Sequence, residues 1–200
     1  MLSKFIINGG KPLKGEVDIR GSKNTILPVI AACLLTEEHC EIENVPEISD
    51  VRTMIEIARS IGVKVEWDKA EHRLDIQAKS LKNHALPEEE ARKLRASILF
   101  SGSLVGRLGK ARIPYPGGDA IGSRPLSAHL KALEQLGVNA EDNGNIFLDG
   151  RELKGADLTL EEPSVTATEN TILAAVLAPG RTVIRMAAFE PHVQELVSFL

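Results

Sequence analysis

Apolar and polar positions follow a recurring grammar along this chain. Residues 26–35 are almost wholly apolar, and Ser22 stands before them as an N-cap candidate, so the pattern predicts a largely buried helix over about 24–35. Cys40-Glu41-Ile42-Glu43 then alternates with a period of two, as a half-buried strand does. From Ile48-Ser49-Asp50 onward, Val51, Met54, Ile55, Ala58 and Ile61 fall on one helical stripe that Gly62 ends. Residues 63–67 and 73–76 alternate again and read as a hairpin.

The same order then returns. A helix is predicted over 95–106, a strand over 111–113, a helix over 125–136 stopped by Gly137, and a second hairpin of 138–140 and 145–148 around Asn143-Gly144. A third round predicts a strand over 156–160, a helix over 167–177, a strand over 181–184 and a helix from near Pro191. Ahead of all this, Phe5-Ile6-Ile7 and Val17-Asp18-Ile19-Arg20 read as two short strands joined by Asn8-Gly9-Gly10-Lys11-Pro12.

The recurrence has a measurable period. Cys40-Glu41-Ile42, Ala111-Arg112-Ile113 and Thr182-Val183-Ile184 are spaced by 71 and 71, and Ser60-Ile61-Gly62-Val63 and Gln135-Leu136-Gly137-Val138 by 75. That exceeds the period of common solenoids. Three copies can instead close around a pseudo-threefold axis, each giving one buried helix to the centre. The expected fold is therefore α+β, a pseudo-threefold repeat of βαβαββ units.

Composition narrows the function classes. Aliphatic residues dominate a 43% apolar content, and aromatics are only 4%, so there is no stacking platform for nucleobases. A net charge of −4 argues against a general nucleic-acid binder. The only two cysteines, Cys33 and Cys40, lie in apolar segments without metal-site spacing, which fits reduced thiols in the cytoplasm. Met1-Leu2-Ser3-Lys4 runs straight into a strand-like segment, so no signal peptide is expected, and no apolar run has the length of a membrane span.

Two features carry chemistry. Pro114-Tyr115-Pro116-Gly117-Gly118-Asp119-Ala120-Ile121-Gly122-Ser123-Arg124-Pro125 can neither extend a strand nor open a helix, because Pro removes donors and Gly suits positive φ. It reads as a loop with an acid near its tip and a guanidinium at its far end. That arrangement suits proton transfer to an anionic substrate, and a solvated Gly-Asp turn is the alternative. Second, projecting repeat on repeat puts Asn24, Arg95 and Thr166 at one place, the start of the buried helix. Three helix starts on one side of the domain would attract an anion, and Lys23, Arg95 and Arg124 add cationic donors. Solvated charges at helix ends are the competing explanation.

Gly21-Ser22-Lys23-Asn24-Thr25-Ile26-Leu27-Pro28, Arg95-Ala96-Ser97-Ile98, residues 116–125 and Pro163-Ser164-Val165-Thr166-Ala167-Thr168-Glu169-Asn170 together resemble the UDP-N-acetylglucosamine 1-carboxyvinyltransferases, which open peptidoglycan synthesis. The resemblance covers the whole chain in order. The enolpyruvyl transferase of the shikimate pathway fits less well, because it lacks the Gly-Gly-X-Ala-Ile-Gly loop.

The resemblance implies a two-domain enzyme of about twice this length, an inside-out α/β barrel with its site between the domains. Residues 1–21 would be strands of the other domain, and 22–200 the three-repeat domain, cut short in its last unit. The enolpyruvyl group of phosphoenolpyruvate would pass to the 3-hydroxyl of UDP-N-acetylglucosamine with release of phosphate, and no cofactor or metal is implied. Lys23, Asn24 and Arg124 would hold phosphoenolpyruvate. Arg95, Arg124, Pro125, Leu126, Ser127 and Ala128 would bind the nucleotide sugar, with Glu162, Pro163, Ser164 and Val165 closing over it, and His129 would support them.

Asp119 stands where most of the family has a cysteine that protonates the methylene carbon, and it removes the thiol that fosfomycin alkylates. Glu162 and Thr166 replace a lysine and a glycine found in family members. The general base and a further arginine would come from the C-terminal half, so this chain alone should not turn over. A non-catalytic UDP-sugar-binding paralogue is the alternative reading.

Overall fold

The computed structural model describes residues 4–118 and 125–200. The first repeat comprises α1 (Lys23–Ala32), whose last turn continues as a 3-10 turn (Cys33–Leu35), then β1 (His39–Ile42), α2 (Ser49–Ser60), β2 (Lys64–Asp68) and β3 (Arg73–Gln77). The second opens with the short helix α3 (Glu88–Ala91) and a 3-10 turn (Arg95–Leu99). It continues through α4 (Phe100–Leu108), β4 (Lys110–Pro114), α5 (Ser127–Gln135), β5 (Asn139–Asp142) and β6 (Asn145–Asp149). The third holds β7 (Asp157–Thr159), α6 (Val165–Ala175), β8 (Val183–Arg185) and α7 (Pro191–Phe199).

The repeat seen in the sequence is a repeat of topology. The first two sheets have the orders β1-β3-β2 and β4-β6-β5, and all four pairings are antiparallel. Their registers place apolar residues opposite one another, Cys40 with Ile76 and Val65 with Ile76 in one sheet, Ala111 with Leu148 and Ile113 with Ile146 in the other. In the third repeat β7 and β8 pair in parallel across α6. The second repeat keeps a remnant of the same parallel crossover in the single bridge between Ala85 and Arg112.

One helix of each repeat is central. Every residue from Ile26 to Leu35 is buried, as are Phe100 to Val105 and Ala167 to Thr171. A helix apolar on all sides must be covered on all sides, and these three cover one another. Small and polar residues mark their crossings. Ser103 Oγ donates to the Ala31 carbonyl at 2.7 Å, and the Gly102 amide donates to Asn170 Oδ1 at 2.7 Å. A Cβ on Gly102 would lie 2.3 Å from the Asn170 carbonyl oxygen, so α4 and α6 meet at a distance that glycine alone allows.

Several boundaries differ from the sequence expectation. Phe5-Ile6-Ile7 and Val17-Asp18-Ile19-Arg20 pair with no strand among the described residues, and their apolar side chains face solvent, Phe5 at 95% and Val17 at 83% exposure. A strand needs a partner edge, and alternation within one segment supplies none. Ser22 takes the extended N-cap conformation, but its hydroxyl makes no capping bond. The helix expected over 95–106 starts as a 3-10 turn, where Ser97 Oγ bonds the Ala91 and Leu94 carbonyls. Such local bonds compete with the α ladder. The helix expected from Pro125 begins at Ser127. α3 was not foreseen; four residues with three glutamates show no apolar period, and Glu88–Arg92 and Glu89–Lys93 pairs one turn apart support it.

Candidate functional site

The three central helix starts converge. Asn24, Arg95 and Thr166, one from each repeat, line a single cavity of about 380 Å³, together with Lys23, Val165 and the apolar wall of Leu27, Pro28 and Leu99. Pro28 lacks the amide that would bond the Asn24 carbonyl inside α1, so that carbonyl loses its intrahelical donor at the rim. The cavity also has acidic walls. Asp50 at the start of α2, Glu169 on α6 and Glu190 before α7 face it, as does His192.

A cation at a helix start opposes the helix dipole, and the protein answers that with a neighbouring acid. Lys23 Nζ is ion-paired with Asp50, which itself sits in the first turn of α2 where an acid is favoured. Arg95 Nη2 donates to the Pro125 carbonyl at 3.2 Å, tying the entry of α5 to the second helix start. On the other flank of the Pro-Gly segment, a Cβ on Gly117 would lie 1.6 Å from the Arg92 carbonyl oxygen. Gly117 and Pro125 thus both rest against the short stretch Arg92 to Arg95. Asp119 and Arg124 lie outside the described residues.

Behind the cavity is a buried polar network. Asn170, fully buried, donates through Nδ2 to Ser101 Oγ at 2.7 Å, and Ile98 O and His129 Nδ1 lie at 3.0 and 3.1 Å from the same nitrogen. The Gly102 amide on Oδ1 fixes which way the amide points. His129 Nε2 lies 3.1 Å from Thr166 Oγ1. A neutral imidazole with its proton on Nε2 satisfies both sides, accepting from Asn170 and donating to Thr166. Desolvation, with the Arg95 charge as a second cause, pushes the His129 pKa down to about 4, which keeps the ring neutral. Thr166 accepts from His129 and so keeps its own hydroxyl proton free to point elsewhere.

Glu169 lies one turn beyond Thr166 on α6 and is 2% exposed. Among the described residues its Oε1 has no hydrogen-bond partner. Burial, and then the charge of Glu190, push its pKa up to about 8, so the carboxyl is protonated at neutral pH.

Of the residues singled out from the sequence, Lys23, Asn24, Arg95 and Val165 line the cavity. Pro125 touches it indirectly through Arg95. Leu126 and Ala128 are buried in the core at the start of α5, and Ser127 is exposed. Ser164 caps α6, accepting from the Ala167 amide at 3.4 Å, while Glu162 and Pro163 are exposed outside the cavity wall. Sequence reasoning did not single out Asp50, Glu169, Glu190 or His192. Only Glu169 left a signal, an acid inside an otherwise buried helix. At the repeat spacing of 71 it falls where Ile98 and Leu27 stand. Among the described residues no cluster of three or more His, Cys, Asp or Glu is placed to hold a metal, and no helix is long and apolar enough to cross a membrane.

Residues 7–200 match the EPSP synthase (3-phosphoshikimate 1-carboxyvinyltransferase) family. UDP-N-acetylglucosamine 1-carboxyvinyltransferase of Bradyrhizobium diazoefficiens is 48% identical over 197 residues, spanning 98% of this chain and 46% of the relative. UDP-N-acetylglucosamine 1-carboxyvinyltransferase 1 of Carboxydothermus hydrogenoformans is 46% identical over 200 residues, spanning 100% and 47%. Among solved structures, the enolpyruvyl transferase NikO from Streptomyces tendae is similar with a TM-score of 0.83 at 22% identity, over 96% of this chain and 45% of that one. EPSP synthase from Acinetobacter baumannii gives 0.69 at 23%, over 93% and 43%. The chain spans about half the length of the curated relatives it matches.

Proposed function

The chain belongs to the EPSP synthase family, and on that premise we propose that it carries one side of an enolpyruvyl transfer site. The acceptor is UDP-N-acetylglucosamine and the donor phosphoenolpyruvate, in the first step of cell-wall peptidoglycan synthesis in the cytoplasm, with consequences for cell shape and division. The observation that carries this reading is the convergence of Asn24, Arg95 and Thr166 on one cavity beside Lys23. The names of the relatives at 46–48% identity support this acceptor.

In this reading Lys23 leaves Asp50 to hold the phosphate of phosphoenolpyruvate, with Asn24 between the two substrates and Arg124 on the donor's anionic groups. Arg95, Arg124 and the segment Pro125, Leu126, Ser127 and Ala128 take the uridine diphosphate, and Glu162, Pro163, Ser164 and Val165 close over it. The carboxyl of Asp119 gives its proton to the methylene carbon, leaving C2 electrophilic. The sugar 3-hydroxyl oxygen bonds to C2 as its proton passes to a base. Phosphate then leaves as a base in the site takes one methyl proton, which restores the double bond. Asp119 can serve only if it stays protonated, which requires exclusion of water around it. The base and a further arginine are expected from the part of the relatives' length that this chain does not span.

The test is phosphate release. The chain joined to the second half found in its relatives should release phosphate from phosphoenolpyruvate with UDP-N-acetylglucosamine and not with shikimate 3-phosphate, and the chain alone should bind without turnover. Release with shikimate 3-phosphate alone would overturn the acceptor. Nucleotide-sugar binding without any turnover in the joined protein would favour a non-catalytic binder.

A further inference from the structure

Glu169 has no task in the chemistry above, yet the fold spends a buried position on it. Its helix also buries Thr168, Asn170 and Thr171, and each of those has a hydrogen-bond partner, whereas Ala167, Leu173 and Ala174 pack at 0% exposure. An acid buried without a partner costs stability, whether neutral or charged. Its two counterparts at the repeat spacing are aliphatic, so the site of the residue does not by itself demand a polar group. Glu169 shares the inner face of α6 with Val165 and Thr166, and all three line the same cavity. Among the described residues its Oε1 finds no donor or acceptor.

We propose that Glu169 is a ligand-contacting residue of this cavity, whose protonated carboxyl donates a hydrogen bond to an oxygen of the anion held at the three helix starts. This rests on the reading of the cavity as an anion site. Such an acid adds a donor where Lys23 and Arg95 supply charge. Ionised, it would place a negative charge against the ligand and against Glu190. Binding is then linked to one proton: the anion holds the proton on Glu169, and loss of that proton weakens the anion.

The charged groups around it allow this linkage to be isolated. Lys23 and Asp50 form a pair on the α1 and α2 side. Arg95 comes from the 3-10 turn, and Glu190 and His192 from the start of α7. From α5, His129 is buried against Thr166 and Asn170, and Lys131 is paired with Glu161. Burial, and then the charge of Glu190, hold the Glu169 pKa near 8, and comparison with Glu169→Gln separates its proton from those of its neighbours.

The experiment uses inorganic sulfate as probe, because its own charge is constant over the range, with phosphoenolpyruvate as competitor. Isothermal titration of the chain and of Glu169→Gln is run from pH 6.5 to 9.5 in buffers of different ionisation enthalpy, with circular dichroism to verify that both are folded. The wild type should lose affinity by up to about tenfold per pH unit above the Glu169 titration and take up nearly one proton per sulfate at pH 9. Glu169→Gln, which keeps a donor without a titration, should bind with a flat profile and no proton uptake. Identical profiles in the two proteins would overturn the role of Glu169 and leave the anion site standing. Absence of both sulfate and phosphoenolpyruvate binding in either protein at every pH would overturn the anion site and this inference with it.

Discussion

Gly102 offers the sharpest test of how the three helix starts are held together. Replacing a helical glycine by alanine ordinarily stabilises by about 0.5–1 kcal/mol, through backbone entropy and propensity. At Gly102 the new methyl would sit 2.3 Å from the Asn170 carbonyl oxygen and 2.6 Å from Asn170 Oδ1. No rotamer relieves a Cβ clash, so α4 and α6 must separate. Overpacking of that kind costs about 1–3 kcal/mol. Separation also stretches the Gly102 amide bond to Asn170, and a buried amide left unpaired costs a further ~1–3 kcal/mol. Loss outweighs gain by roughly 3 kcal/mol, which for a domain of this size is a fall in Tm of about 6–12 °C. Gly106 is the internal control. It lies one turn along the same helix, but a Cβ there meets nothing closer than 3.4 Å. Gly106→Ala should therefore hold or raise Tm by about 2 °C. Thermal melts by circular dichroism on both variants decide the matter. Gly102→Ala melting at or above the wild type would refute the reasoning, as would equal losses in the two variants.

The remaining predictions concern charge. His129 is neutral in the fold with a pKa near 4, against an ordinary value of 6.5, so the native state binds fewer protons in that window. Stability should then fall as pH drops from 6.5 to 4, by about 1.4 kcal/mol per pH unit, and urea titrations of His129→Gln should show this acid limb flattened. Glu169 has the opposite sign: its pKa is raised from 4.5 to about 8, so its proton stabilises the fold less as pH rises through that range, and Glu169→Gln should gain on the wild type at pH 8. Asp50→Asn removes the acid that competes for Lys23 and should tighten phosphoenolpyruvate binding several-fold by calorimetry, while Tm moves little because the pair is half-exposed. Wild-type protein should gain no mass on incubation with fosfomycin and phosphoenolpyruvate. Asp119→Cys should gain one adduct by intact mass spectrometry, and an adduct at Cys40 in both proteins would count against the loop chemistry.

Much of this architecture was legible because it is periodic. The run from Ile26 to Leu35 announces a buried helix, and the spacing of 71 announces its copies. The convergence of Asn24, Arg95 and Thr166 follows from that period alone. What failed to show lies outside the period or depends on a distant partner. Val17 and Ile19 alternate as a strand does, but pairing is a property of two segments. Asp50 and Glu190 reach the cavity from the starts of α2 and α7, far in sequence from the motifs that mark the central helices. Charge counting along the chain saw Lys23 and Arg95 and missed the acids the fold brings opposite them. The resemblance marked His129 only as a supporting residue; the packing of α5 on α6 puts it between Asn170 and Thr166.

A cavity built on a pseudo-threefold axis has one further property. Three related helix starts, two α and one 3-10, meet around it, so the shared fold by itself does little to tell a ligand which way round to sit. Orientation must come from the side chains in which the copies have diverged: an amide at Asn24, a guanidinium at Arg95, a hydroxyl at Thr166. Exchanging the residues at positions 24 and 95, which spares the Thr166–His129 bond, should therefore turn the ligand in its seat, and makes these positions the natural place to redirect what this protein accepts.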